Sequence, residues 1–158
     1  MQAHSRTVKQ LFQNDLRFLV PMYQRPYVWS QDRQWQPLFE DVARLADSLL
    51  EAQANGGYGG KTPEQLTPHH FLGAIVVDQE SSMVGGVDRR LVIDGQQRLT
   101  TLQLLLSVVR AKAESIGDKR SAAQLRTLVE NRDEFIDPGR PEEKWKVCLL
   151  YTSPSPRD

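Results

Sequence analysis

The sequence predicts an α/β (α+β) domain in which a small sheet is flanked by helices. Two largely apolar runs of strand length, residues 71–78 and 89–93, flank a loop with a Gly-Gly pair, which is typical of an antiparallel hairpin. Apolar residues also recur at intervals of three and four over residues 35–49 and 99–109, the spacing of amphipathic helices. With 158 residues, of which 39% are hydrophobic and 25% charged, the chain suits one globular domain.

The first half of the chain predicts a short helix, a strand and a long helix. Helical spacing covers residues 7–14, and a strand follows over residues 17–20. Ser30 is a suitable N-cap for a long helix that extends to about residue 54. We expect Pro37 in the first turns of that helix, because a proline deeper inside would remove a hydrogen bond and kink it.

The second half adds helices over residues 96–113 and 121–132 and a strand that opens at residues 145–147. No apolar run approaches the roughly 20 residues of a membrane span, and the N-terminus lacks the apolar core of a signal peptide. The single cysteine, Cys148, excludes a disulfide framework and a thiolate metal site. A formal net charge of zero gives no general electrostatic attraction to DNA. We therefore expect a soluble cytoplasmic protein with no membrane contact.

The most informative segment is residues 91–102, Leu-Val-Ile-Asp-Gly-Gln-Gln-Arg-Leu-Thr-Thr-Leu. Asp94-Gly95 alone is typical of a hairpin turn, but the apolar residues after it have helical spacing, so we expect a turn that opens a helix. A glycine that admits close backbone approach and the N–H groups of a helix start together form an anion site. The side-chain donors beside them are Gln96, Gln97, Arg98, Thr100 and Thr101.

A second segment, residues 20–29, is rich in aromatic and polar side chains. If it is extended, its period of two places four residues on one side: Tyr23, Arg25, Tyr27 and Trp29. A guanidinium among aromatic rings is suited to holding a phosphate and stacking a base. The alternative is an edge segment whose aromatic side chains cover a core, with Pro26 at the edge because it cannot donate to a ladder.

Two other motifs predict no site. Gly60-Lys61-Thr62 resembles the end of a P-loop, but Asn55 stands where the first glycine is required, so a flexible linker is expected. His69 and His70 adjoin a predicted strand and would point to opposite faces of it, which does not suit a shared metal ion.

Three segments, residues 21–29, 71–77 and 92–102, together resemble the N-terminal domain of GmrSD-type restriction endonucleases. The resemblance spans about residues 8–147, and the Asp-Gly-Gln-Gln-Arg box with the Leu-Thr-Thr-Leu after it is its most diagnostic element. It implies a ParB/sulfiredoxin-like fold, with a small mixed sheet and flanking helices. It also implies a nucleoside triphosphatase module of a modification-dependent (type IV) DNA restriction system in anti-phage defence.

The resemblance also implies which residues act. Hydrolysis would depend on three catalytic residues, Asp94, Gln97 and Arg98. Nucleotide binding would use seven further residues: Gln24, Arg25, Tyr27, Gly95, Gln96, Thr100 and Thr101. For Asp94 two interpretations stay open, since its carboxylate can hold Mg²⁺ through water or cap the turn.

The ligands implied are a nucleoside triphosphate with Mg²⁺ and, through regions outside this chain, modified DNA; a homo-oligomer is compatible with them. Two alternatives are a nucleotide-gated regulator that does not hydrolyse its ligand and a ParB-like DNA-binding module without nucleotide. The chain has three histidines and no His-Asn-His nuclease signature, so DNA cleavage is not assigned to it.

Residues 148–158, Cys-Leu-Leu-Tyr-Thr-Ser-Pro-Ser-Pro-Arg-Asp, form an unusual C-terminal segment. They match, residue for residue, the translation of a nucleotide sequence that resembles a transposase-type sequencing adapter. We therefore expect the domain to comprise residues 1–147, truncated at that point, and the tail to be non-native and disordered. The alternative is a native tail rich in proline and serine.

Overall fold

The computed structural model describes residues 3–21, 27–55, 65, 69–79 and 86–149; residues 148 and 149 are described by their backbone alone. The chain divides into two compact units, one of Met1–Gln24 with Gly73–Asp158 and one of Arg25–Leu72. The helices and strands in chain order are α1 Val8–Phe12, β1 Leu16–Val20, α2 Gln36–Ala54, β2 Val76–Gln79, β3 Asp88–Asp94, α3 Gln96–Ser115, α4 Lys119–Val129 and β4 Val147–Leu149.

The first unit contains a four-stranded mixed sheet with the strand order β2-β3-β1-β4. Strand β1 is parallel to both of its neighbours, β3 and β4, whereas β2 is antiparallel to β3. The predicted α/β class, with a small mixed sheet and flanking helices, is confirmed. The predicted hairpin of the two apolar runs is also confirmed, as the β2–β3 pair.

The core of this unit lies against the central strand β1. Leu16, Phe18 and Val20 alternate along it and are buried. The Phe12 ring of α1 packs edge-to-face on Phe18, with 5.9 Å between the ring centroids. Val92 of β3 is fully buried as well. The short helix and the first strand predicted from the sequence therefore supply the centre of the core.

The prediction that residues 71–78 form a buried strand is wrong in its start and in its burial. Strand β2 begins only at Val76, and its residues are half-buried or exposed. Phe71 is 84% exposed. Two causes are visible: β2 lies at the edge of the sheet, where only β3 pairs with it, so fewer residues surround it than surround β1, and Gly73 has a φ of +101°, which breaks the extended chain before the strand.

Other predicted elements differ in their ends. The last helix, α4, stops at Val129 because Glu130 adopts extended backbone and forms a β-bridge with Trp145. Strand β4 starts at Val147 and includes the backbone of residues 148 and 149, the first two of the predicted adapter tail. Residues 150–158 lie outside the described residues, so the origin of the tail stays a prediction.

The second unit is built on one long helix. A π-helical turn, Gln31–Trp35, precedes α2, and Pro37 lies in the first turn of α2 as predicted. Ser30 stands before the π-helical turn without a side-chain cap; its N–H donates instead to Gln34 Oε1 at 2.9 Å. Residues 60–62, the P-loop-like motif, lie outside the described residues. Of the helices that the structure describes, none is long and apolar enough to cross a membrane.

The buried amide of Asn131 joins the start of β1 to the segment that follows α4. Its Oδ1 accepts a hydrogen bond from the Leu16 N–H and its Nδ2 donates to the Leu16 carbonyl, both at 3.0 Å. The same Nδ2 donates to the Glu143 carbonyl at 2.8 Å. Asn131 thus pairs with Leu16 as a strand residue would, at the place where β4 has not yet begun.

Lys146 is buried beside this amide. Its Nζ donates to Asn131 Oδ1 at 3.0 Å and to the Asn14 carbonyl at 2.5 Å. Burial lowers the pKa of Lys146 to about 8; the charge of Asp15 opposes this shift and that of Arg132 adds to it. Burial alone would raise the pKa of Asp15, but hydrogen bonds from Arg132 hold it below its ordinary value.

We expect Asn131→Ala to lower the free energy of unfolding by about 3 kcal/mol, because it leaves the N–H and carbonyl of Leu16 and the carbonyl of Glu143 buried without partners. Urea unfolding at pH 7 measures the change. Asn55→Ala, at the exposed end of α2, is the control and should change stability by less than about 0.5 kcal/mol. Equal losses in the two variants would contradict the bracing function of the Asn131 amide.

Because burial lowers the pKa of Lys146, we expect the stability of the protein to depend on pH. Because its pKa in the folded state, about 8, lies below the ordinary 10.5, the unfolded chain binds more protons between these pH values. The cost of burying the charge is therefore present in full below pH 8 and disappears as the pH rises towards 10.5. The free energy of unfolding of the native protein should rise relative to that of Lys146→Met over this range. Parallel curves for the two proteins, measured by urea unfolding, would refute the shift.

Candidate functional site

The Asp-Gly-Gln-Gln-Arg box forms the turn between β3 and α3. Strand β3 ends at Asp94, Gly95 has left-handed backbone with a φ of +92°, and α3 starts at Gln96. The Leu99 N–H makes the first bond of the helix, to the Gly95 carbonyl at 3.0 Å. The structure therefore confirms the predicted turn that opens a helix, and it excludes the hairpin interpretation of Asp94-Gly95.

Asp94 caps this turn. Its Oδ1 accepts a hydrogen bond from the Gly95 N–H at 2.8 Å, and the residue is exposed. One of the two interpretations left open by the sequence, the cap, is thus seen directly. The same carboxylate still faces solvent, so binding Mg²⁺ through water stays a prediction.

Gly95 is required at this turn for two reasons. Its positive φ is a backbone conformation that residues with a side chain rarely adopt. A Cβ there would also lie 3.0 Å from Ile75 Cγ1 and 3.1 Å from the Ala74 carbonyl oxygen. The chain just before β2 therefore packs directly on the turn, which positions the start of α3 against the hairpin.

Arg98 lies across the same stretch of chain. Its Nη1 donates to the Ala74 carbonyl at 2.9 Å. A Cβ on Gly73 would lie 2.6 Å from Arg98 Nε and 2.9 Å from Arg98 Cζ, so the guanidinium passes over a residue that has no side chain. Residues 73 and 74 were not among the predicted site residues. The signal that could have identified them is an isolated glycine at the start of an apolar run, which indicates close backbone approach.

The remaining polar residues of the box differ in their exposure. Gln96 and Gln97 are half-buried at the helix start, Thr100 is buried, and Thr101 is fully buried. The Thr101 hydroxyl donates to the Gln97 carbonyl at 2.8 Å, a bond within the helix. The nucleotide contacts expected of these four residues stay predictions, and the two threonines already have places in the packing of α3.

The second predicted segment is described only in part. Because β1 and β3 are parallel, the chain leaves β1 at the same edge of the sheet at which β3 leads into Gly95. Gln24 and Arg25 come four and five positions after Val20 in the sequence and lie outside the described residues. Tyr27 belongs to the second unit, where its half-buried ring contacts that of Trp35 at 6.2 Å between centroids. The proposed contribution of this segment to the site therefore stays a prediction.

The turn offers one carboxylate, that of Asp94, to a metal ion. Among the residues that the structure describes, no three His, Cys, Asp or Glu side chains are grouped as metal ligands. Mg²⁺ in nucleotide sites takes one or two carboxylates and completes its shell with phosphate oxygens and water. A single carboxylate, that of Asp94, fits an ion that is bound together with a triphosphate.

One comparison with known proteins identifies a family for this chain. A family model described as "GmrSD restriction endonuclease, N-terminal domain" matches residues 8–155. The match includes β1, the β2–β3 hairpin and the turn at Gly95, and it runs into the predicted adapter tail. No curated protein matches the chain significantly. Because the family model covers nearly the whole sequence, the chain belongs to the family of GmrSD restriction endonuclease N-terminal domains.

Proposed function

We propose that the turn formed by Asp94, Gly95, Gln96, Gln97 and Arg98 binds a nucleoside triphosphate with Mg²⁺ and hydrolyses it, as one module of a modification-dependent DNA restriction system. The observation that carries the proposal is the anchored guanidinium of Arg98, held by the Ala74 carbonyl at the N-terminus of a 20-residue helix. A fixed cation and the positive end of a helix dipole therefore act at one turn, which favours a phosphate ligand.

Hydrolysis of a triphosphate requires no covalent bond between the protein and the phosphate. Phosphoryl transfer needs the phosphates to be held, their charge to be neutralised and a water to be oriented. Arg98 uses Nη1 for Ala74, and the other nitrogens of its planar fork are suited to phosphate oxygens. Arg25 would add a second positive charge from the segment after β1. Gln97, at the start of α3, would orient the attacking water, with Gln96 beside it.

Mg²⁺, when bound with the triphosphate, supplies further charge neutralisation on the phosphate oxygens. Asp94 would hold that ion through water while its Oδ1 keeps the hydrogen bond from the Gly95 N–H. Tyr27 would stack on the base. Because the net charge of the chain is zero, contact with modified DNA would come from a local charged patch or from regions outside this chain. A cytoplasmic location fits a sequence with one cysteine.

The bond between Asp94 and Gly95 also favours a second candidate function. A carboxylate that serves as a cap is less available to a metal ion, so the turn would bind the triphosphate and change a partner without hydrolysing it. Measuring nucleotide affinity together with phosphate release separates the two candidates. Binding without release by the native protein favours the nucleotide-gated regulator.

We expect Arg98→Ala to abolish triphosphate hydrolysis and to weaken triphosphate binding by a factor of about 10 or more, because it removes a charge-assisted contact to phosphate. Phosphate release and calorimetric titration on the full chain measure the two effects, and circular dichroism verifies that the variant is folded. Arg120→Ala is the charge-matched control; Arg120 is exposed near the start of α4. Hydrolysis that survives in Arg98→Ala would refute the catalytic assignment.

A further inference from the structure

We propose that Gly73 is a positioning residue of this site, because only a residue without a side chain lets Arg98 reach the Ala74 carbonyl. The proposal rests on the proposed function for its consequence, the binding of phosphate, but its geometric basis is independent of any ligand. Gly73 lies 25 positions before Arg98 and outside the Asp-Gly-Gln-Gln-Arg box. It therefore adds a second part of the chain to the site.

The contact between the two residues is close and specific. A Cβ at position 73 would lie 2.6, 2.9 and 3.2 Å from Nε, Cζ and Cδ of Arg98, and these are its three nearest heavy atoms. The first two distances are below any that real Cβ atoms tolerate. Since all three neighbours belong to one long flexible side chain, the cheapest response to an added methyl group is a rotation of Arg98 away from the Ala74 carbonyl. The domain does not have to unfold to accommodate it.

Gly117 separates this steric effect from backbone strain. Both glycines have a positive φ, +101° at Gly73 and +79° at Gly117, so an alanine is strained at either position. A Cβ on Gly117, however, meets no atom within 4 Å. Gly73→Ala thus adds strain and a collision with Arg98, whereas Gly117→Ala adds strain alone.

In Gly73→Ala we expect the guanidinium of Arg98 to lose its fixed orientation. The bond to Ala74 fixes one nitrogen of the guanidinium, so its remaining nitrogens face a phosphate in one orientation. A guanidinium that is already ordered loses less conformational freedom when it binds an anion. In Gly73→Ala the same charge is present but its orientation is not fixed, so triphosphate should bind about 5-fold to 10-fold more weakly.

The first experiment needs no ligand. The melting temperature of the full chain is measured for Gly73→Ala and Gly117→Ala, each with Arg98 and with Arg98→Ala. With Arg98 present, Gly73→Ala should melt about 3 °C below Gly117→Ala, because it also loses the bond to Ala74. In the Arg98→Ala background this excess should shrink, because the collision and the bond to Ala74 are both absent there. An excess of the same size in both backgrounds would overturn the proposal.

The second experiment observes Arg98 itself. The Nε–Hε resonance of Arg98 in a ¹H–¹⁵N spectrum, assigned by its absence in Arg98→Ala, should move in Gly73→Ala and stay in place in Gly117→Ala. An unmoved resonance in Gly73→Ala contradicts the positioning role. A variant that is merely less stable would leave this signal where it is.

The third experiment measures affinity for ATP with Mg²⁺. Gly117→Ala should bind as the native chain does, and Gly73→Ala should show the loss stated above. If the native chain binds and Gly73→Ala binds equally well, the positioning role is wrong. If the native chain binds no ATP, GTP, CTP or UTP, the proposed function is wrong, and the melting and resonance experiments alone then decide whether Gly73 positions Arg98.

Discussion

The fold depends on how the central strand β1 obtains its partners. Both neighbours of β1 are parallel to it, and parallel neighbours must come from distant parts of the chain. At Leu16, the first residue of β1, the second neighbour is a side chain: the Asn131 amide satisfies both the N–H and the carbonyl. The same amide binds the Glu143 carbonyl and the ammonium of Lys146, so it links the start of β1 to two residues of the segment that leads into β4.

Charged groups stabilise the end of the sheet at which the parallel strands start. Asp15 binds Arg132 at 2.6 Å, and the buried Glu143 binds Arg89. Burial would raise the pKa of Glu130, but hydrogen bonds from Arg110 and Arg126 lower it, which keeps this carboxylate charged. The Asp-Gly-Gln-Gln-Arg turn lies at the opposite end of the parallel strands, where β3 ends. The residues that brace the parallel strands and the residues proposed to bind phosphate are therefore separated, so changes at the turn need not disturb the ionic network.

Local patterns in the sequence were sufficient to predict the elements but not the contacts between distant residues. Helical spacing after Asp94-Gly95 correctly predicted α3, and the two apolar runs predicted the hairpin. The exposure of Phe71 was not predicted, because an apolar run does not reveal where its strand begins, and β2 begins only at Val76. Nor do Asn131 and Lys146 carry a local signal of burial: their partners are 115 and 132 positions away, at Leu16 and Asn14. Gly73 had a recognisable signal, but its partner became visible only in the structure.

An irregularity in the hairpin explains why the chain before β2 meets the turn after β3. In a regular antiparallel ladder that pairs Val77 with Val92, Val76 would lie opposite Ile93. The register instead shifts, so that Val76 pairs with Asp94 and Ile93 is the extra residue, which is 51% exposed. This shift places Gly95 next to Ile75, consistent with the short distances from the Gly95 Cβ position to that residue. The Ala74 carbonyl then comes within reach of Arg98, in the first turn of α3. The β-bulge thus aligns the two halves of the hairpin, and the geometry of the candidate site follows from the hairpin as much as from the helix.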